Sequence, residues 1–96
     1  MDLKRRYTIL GPGKIRIVII TNVSGNENLD LPQNLMDRGL GELGFTENQV
    51  GHAAVDVFLD GPFKGQCYVE LQIEHDLDEE ELLRRFKEKR YEEMNL

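Results

Sequence analysis

The sequence predicts an α+β fold: a two-layer sandwich in ββαββα order, with a four-stranded, mostly antiparallel sheet and two helices on one face. Two observations carry this. The chain holds two pairs of β-rich runs, each pair joined by a glycine-rich turn, and a stretch with apolar residues at helical spacing follows each pair. Ninety-six residues allow one domain, 1–96, which buries roughly 60–65% of its unfolded surface.

The first pair is Tyr7–Leu10 and Ile15–Thr21 around Gly11-Pro12-Gly13. Pairing Leu10 with Lys14 gathers Tyr7, Ile9, Ile15, Ile17 and Ile19 on one face. Lys4, Arg6, Thr8, Arg16, Val18 and Ile20 then share the other. A polar loop leads to Asp30, an expected N-cap for a helix with Pro32 in its first turn. Leu35, Met36, Leu40 and Leu43 form that helix's apolar stripe, and Gly44 suits its left-handed stop. Gly39 and Gly41 lie inside it, each costing about 1 kcal/mol relative to alanine. Thr46 and Gln49 are spaced as a capping box for one short helical turn.

The second pair has the clearer alternation. Ala53, Val55, Val57 and Leu59 are interleaved with polar residues, as are Cys67, Val69, Leu71 and Ile73. Pairing Asp60 with Gln66 aligns both apolar sets, because a one-residue slip would put valine against glutamate across the core. Cys67 then faces Leu59 inside the core. The last helix has Asp78 as N-cap and Glu81 at its third position, with glutamates early and basic residues late, as the helix dipole favours. Glu80–Arg84 and Glu81–Arg85 are expected i,i+4 pairs. Its apolar stripe of Leu82, Leu83 and Phe86 weakens toward Tyr91 and Met94, so the chain from about residue 90 is expected to fray.

Composition narrows the function. A net charge of −6 argues against a general grip on nucleic-acid phosphates. One cysteine excludes an internal disulfide framework and a cysteine-rich zinc site. The longest apolar run, Ile17–Ile20, is far short of a membrane span, and the charged N-terminus is unlike a signal peptide, so a cytoplasmic location is expected. The Asn22-Val23-Ser24 sequon is then incidental. The charge is unevenly placed: residues 1–20 carry +4, 21–51 carry −4, 52–76 carry −4 and 77–96 carry −2.

The outer sheet face is the candidate site. The register sets Phe58 opposite Tyr68, Asp56 opposite Glu70 and His52 opposite Glu74. Like charges across a ladder need relief, from Lys4, Arg6 or Arg16 within the chain, from a basic partner or twofold copy, or from a cation. Val18 and Ile20 are apolar on a strand whose other face is already apolar, so something covers both sides. The N-terminal residues and the end of the last helix are internal alternatives to a partner. With Phe58 and Tyr68 they make an apolar centre, rimmed by Asp56, Asp60 and Glu70, with the anatomy of a protein interface.

The leading expectation is a small non-catalytic protein-interaction module, an adaptor, regulator or inhibitor. It meets a partner with a basic surface, or a second copy, through Val18, Ile20, Asp56, Phe58, Asp60, Tyr68 and Glu70. No cofactor, metal, membrane or direct nucleic-acid contact is expected. The alternative is a ligand- or metal-sensing regulatory domain, dimeric through the sheet. An enzyme using His52, Glu74 and His75 ranks last, for want of a nucleophile, an oxyanion site and a pocket. Asn26-x-Asn28-x-Asp30 imitates the start of a calcium loop but lacks its sixth-position glycine and its glutamate at position twelve. Gly39-x-Gly41-x-x-Gly44 matches a dinucleotide fingerprint only as text, since it ends a helix instead of opening one.

Overall fold

The computed structural model describes residues 3–21 and 31–94. Asp30, the sequon and the calcium-like Asn26–Asp30 segment lie outside the described residues. The elements are β1 (Leu3–Gly11), β2 (Lys14–Thr21), α1 (Leu31–Leu43), a 3-10 turn (Glu47–Gln49), β3 (Val50–Val57), β4 (Cys67–Glu74), α2 (Glu79–Glu88) and β5 (Glu92–Glu93). The sheet is mixed and five-stranded, ordered β3-β4-β2-β1-β5, with only the β1–β5 pair parallel. Four antiparallel strands match the expected hairpins, and β5 is an addition to them.

The first hairpin has the register read from its alternation along the strands, with Tyr7 opposite Ile17 and Ile9 opposite Ile15. At the turn, however, Lys14 pairs with Gly11 (φ 157°) and not with Leu10, the register shifting by one between Ile9 and Gly11. Ile15, Ile17 and Ile19, at 1% exposure or less, meet Leu35, Leu40 and Leu43 of α1 and Leu82 and Phe86 of α2. Both helices therefore cover one face. Tyr7 stacks on Phe86 with ring centroids 3.9 Å apart.

Helix α1 approaches the sheet at Gly39. A Cβ built there would lie 2.7 Å from Ile19 Cδ1 and 3.1 Å from Ile17 Cδ1, whereas one on Gly41 meets nothing within 4 Å. Gly39→Ala is therefore expected to destabilise by about 1–2 kcal/mol, overpacking outweighing its better helix propensity. Gly41→Ala should stabilise by up to about 1 kcal/mol. Urea unfolding of the two variants checks both signs, and equal effects would remove the close approach as the reason for Gly39. Gly44 (φ 78°) ends the helix, and the Phe45 amide donates back to the Leu40 carbonyl (2.9 Å). The Thr46 amide donates to Gln49 Oε1 (2.9 Å), one half of the expected capping box.

Helix α2 is capped by Asp78, whose Oδ1 accepts from the Glu81 amide (2.8 Å). Glu81 pairs with both Arg84 and Arg85, and Arg84 also reaches Glu88, in place of the expected Glu80–Arg84 pair. Its end does not fray. Arg90 adopts φ 63°, and the Tyr91 amide donates to the Phe86 carbonyl (2.8 Å), the closure normally built on glycine. The turn drops Tyr91 into the core at 5% exposure and sets Glu92-Glu93 beside Arg6-Tyr7 of β1. The Tyr91 hydroxyl donates to Glu42 Oε1 (3.2 Å), and Arg5 donates to the same carboxylate twice (2.9 and 2.8 Å). Arg5, Glu42 and Tyr91 thus join β1, α1 and the C-terminal segment.

The second hairpin departs from the expected register by two residues: Ala54 faces Glu70, Asp56 faces Tyr68 and Val57 faces Cys67. A shift of two preserves the faces, which is why hydrophobic alternation could not detect it. Burial on β3 also differs from expectation. Helix α1 packs over β2 and β4, so Val55 (50% exposed), Val57 (40%) and Leu59 (84%) sit outside the core. Cys67 is a half-buried free thiol opposite Val57, away from Leu59.

Candidate partner-binding face

The two-residue shift lengthens the β3–β4 connection to residues 59–65, and that length lets it fold over the outer face. Phe58 closes the hairpin, its amide donating to the Gln66 carbonyl (3.0 Å) and its carbonyl accepting from the Gly65 amide (2.9 Å). Inside it, the Lys64 amide bonds the Gly61 carbonyl and the Gln66 amide bonds the Phe63 carbonyl, with Gly61 and Gly65 at φ 82° and 86°. These turns carry Phe63 back over β1. Its ring lies 4.9 Å from Lys4 Nζ and 5.8 Å from Arg6 Cζ. Phe58 bridges the gap, 5.6 Å from Phe63 and 4.4 Å from Tyr68.

Val18 and Ile20 lie under this arch. Val18 sits between Arg6 and Glu70, and Ile20 between Lys4 and Tyr68, in the paired strands. They are 6% and 0% exposed. The expectation that something covers them is met, and among the described residues the segment that spans this face from β4 to β1 is the molecule's own β3–β4 loop, with Phe58 beside Tyr68 and Phe63 over Lys4 and Arg6. Val18 and Ile20 are therefore the floor of the face, and the half-buried rings of Phe58, Phe63 and Tyr68 are its outer surface. Phe63 is the residue that pattern reading missed. Its signal was an aromatic held between Gly61-Pro62 and Lys64-Gly65 in the hairpin loop.

The expected clash of Asp56 with Glu70 is absent, because the register separates them. Glu70 instead lies diagonally from Arg16, whose Nε is 3.6 Å from Glu70 Oε2, an ion pair too long for a hydrogen bond. Lys4 and Arg6 face the Phe63 ring, and Arg6 Nη1 also lies 3.9 Å from Glu92. Asp56 Oδ1 accepts from the Val57 amide (2.7 Å). Among the described residues no cation comes within ion-pair distance of Asp56 or Asp60, and both side chains are exposed. Burial, and then the charges of Asp56 and Glu70, push the Tyr68 phenol above its ordinary pKa.

The histidine cluster does not assemble. His52 faces Gln72, Glu74 faces Lys14, and His75 turns to the helix side, where its ring lies 6.1 Å from Phe45 and Nδ1 accepts from the Leu77 amide (3.1 Å). Beside His75 there is a cleft of about 470 Å³ between the β1–β2 turn and the start of α2, lined by Ile9, Gly13, His75, Leu77, Glu79 and Leu82. Among the described residues no three His, Cys, Asp or Glu side chains converge as a metal site, and no helix is long and apolar enough to cross a membrane. No protein-family model matches the chain, and no curated protein matches its sequence.

Proposed function

We propose that the chain is a small non-catalytic protein-interaction module, an adaptor, regulator or inhibitor, that meets a basic protein surface through the outer sheet face. The observation that supports this is the aromatic arch of Phe58, Phe63 and Tyr68, together with the exposed carboxylates of Asp56 on β3 and Asp60 in the adjoining loop, which among the described residues have no cation within ion-pair distance. Half-buried aromatic rings offer contact area at little entropic cost, and rim carboxylates choose the sign of the partner. Val18 and Ile20 serve beneath the rings as support, and Glu70 contributes through its pair with Arg16.

An arginine-rich peptide is a suitable probe, titrated calorimetrically at low and at physiological salt. Asp56→Asn with Asp60→Asn should weaken binding by about tenfold and flatten its salt dependence. Absence of binding by the wild type at low salt, or equal affinity in the double variant, overturns the reading.

A second reading is a ligand-sensing regulatory domain, favoured by the cleft beside His75. It calls for an apolar small molecule, since Ile9, Leu77 and Leu82 form much of the wall. A rise in melting temperature that is lost in Leu82→Ala, by mass action, would distinguish it from the interaction module.

A further inference from the structure

We infer that β3 pairs with β3 of a second copy of the chain, antiparallel about a twofold axis at Ala54, to make one continuous ten-stranded sheet. The two outer strands of the sheet differ in length: β5 has two residues and β3 has eight. β3 carries no proline or lysine, the residues that commonly protect such an edge. Its free hydrogen-bonding groups follow from the hairpin. Phe58 directs both its amide and its carbonyl toward the β4 side. Alternation along the strand then turns Asp56, Ala54 and His52 the same way and leaves the amides and carbonyls of Ala53 and Val55 and the carbonyl of Val57 facing outward, without a partner among the described residues, the Val57 amide being held by Asp56 Oδ1 (2.7 Å).

An antiparallel copy must match outward residues with outward residues, which leaves a small set of registers. Centring the axis on Ala54 sets Val55 against Ala53 of the copy and His52 against Asp56 of the copy, twice by symmetry. Moving the axis one residue toward Phe58 separates that pair, and moving it two opposes Asp56 with itself. The match of an imidazole N–H donor with an aspartate carboxylate therefore selects Ala54. Val55 and Val57, half-exposed beside a helix layer that stops at β4, gain neighbours on their open side.

This contact is an edge, separate from the outer face proposed above, with Asp56 the one residue they share. Mass in solution, measured on the full chain by sedimentation over a wide concentration range, tests it. A concentration-dependent dimer is expected. Val55→Lys should abolish it, and His52→Asp should weaken it about tenfold by opposing two aspartates. The exchange His52→Asp with Asp56→His should restore it, because each histidine again meets an aspartate. Melting curves show that each variant is folded, which the exposure of these side chains favours. A strict monomer up to about 1 mM, a dimer indifferent to Val55→Lys, or a failure of the exchange to restore would each overturn the proposal. Asp60→Asn, off the edge, should leave the mass unchanged while weakening the peptide, so the two readings fail separately.

Discussion

Replacing Tyr91 with alanine should lower stability by about 3–5 kcal/mol, the cost of deleting a buried aromatic. A domain of this length has about 5–14 kcal/mol in total, so the variant is marginal at room temperature. Tyr91 is 5% exposed, lies against Phe86 with centroids 5.5 Å apart, and its hydroxyl holds Glu42 in the Arg5 pair. Losing it also weakens the Glu92-Glu93 pairing on β1, which is otherwise anchored by the Met94 amide to the Tyr7 carbonyl (2.7 Å), the Thr8 hydroxyl to the Met94 carbonyl (2.8 Å) and the Arg6–Glu92 ion pair (3.9 Å). Tyr91→Phe keeps the ring and should cost about 1 kcal/mol. The same residue sets an alkaline limit. Burial, and then the Glu42 charge, hold the folded phenol well above its ordinary pKa of 10. Below pH 10 both states keep the proton and stability is full. Above it the unfolded state ionises first, so stability should fall by about 1.4 kcal/mol per pH unit until the folded phenol also titrates. Urea unfolding at pH 8, 10 and 11 measures this slope. If Tyr91→Phe keeps the slope of the wild type, Tyr91 is not its source.

Ile20→Ala should cost about 2–4 kcal/mol although Ile20 lies on the face away from both helices. A half-solvated sheet face would give a fraction of that. The difference comes from Phe58 and Phe63, which lie over the β1–β2–β4 region in the loop arch. Val55→Ala, on the nominal core side but half-exposed, should cost less than about 1 kcal/mol in the monomer. The expected order, outer Ile20 far above inner Val55, reverses what alternation alone implies. Chemical denaturation of the two variants at low concentration measures it. Equal costs would mean that the loop does not seal the outer face.

Much of this fold was legible because the relevant signals are local. The Tyr7–Ile17 and Ile9–Ile15 register, the stripe on α1, the Gly44 stop and the Asp78 cap each depend on residues within a few positions of one another. The site was legible in composition but not in arrangement. Asp56, Phe58, Tyr68 and Glu70 do share the outer side of the second hairpin, yet their pairing was misjudged. Registers two residues apart present the same faces, so alternation alone does not separate them. The C-terminus was misread for a different reason. Its helix stop has an arginine in the left-handed conformation, where a sequence reader looks for glycine, and tertiary burial of Tyr91 and Phe86 stabilises that choice.

The amino-acid sequence by itself determined which residues are apolar in period two and which in period 3.6, and hence four strands, two helices and their inner faces. It also determined that the first hairpin is basic and the second acidic. Tertiary structure alone decided what lies over each face. Helix α1 stops over β4 and leaves Val55 and Val57 half-exposed, while a loop closes over Val18 and Ile20. The physical reason is that periodicity sets the side on which a side chain stands. Its burial depends on whatever distant segment packs there, through contacts between residues far apart in the chain.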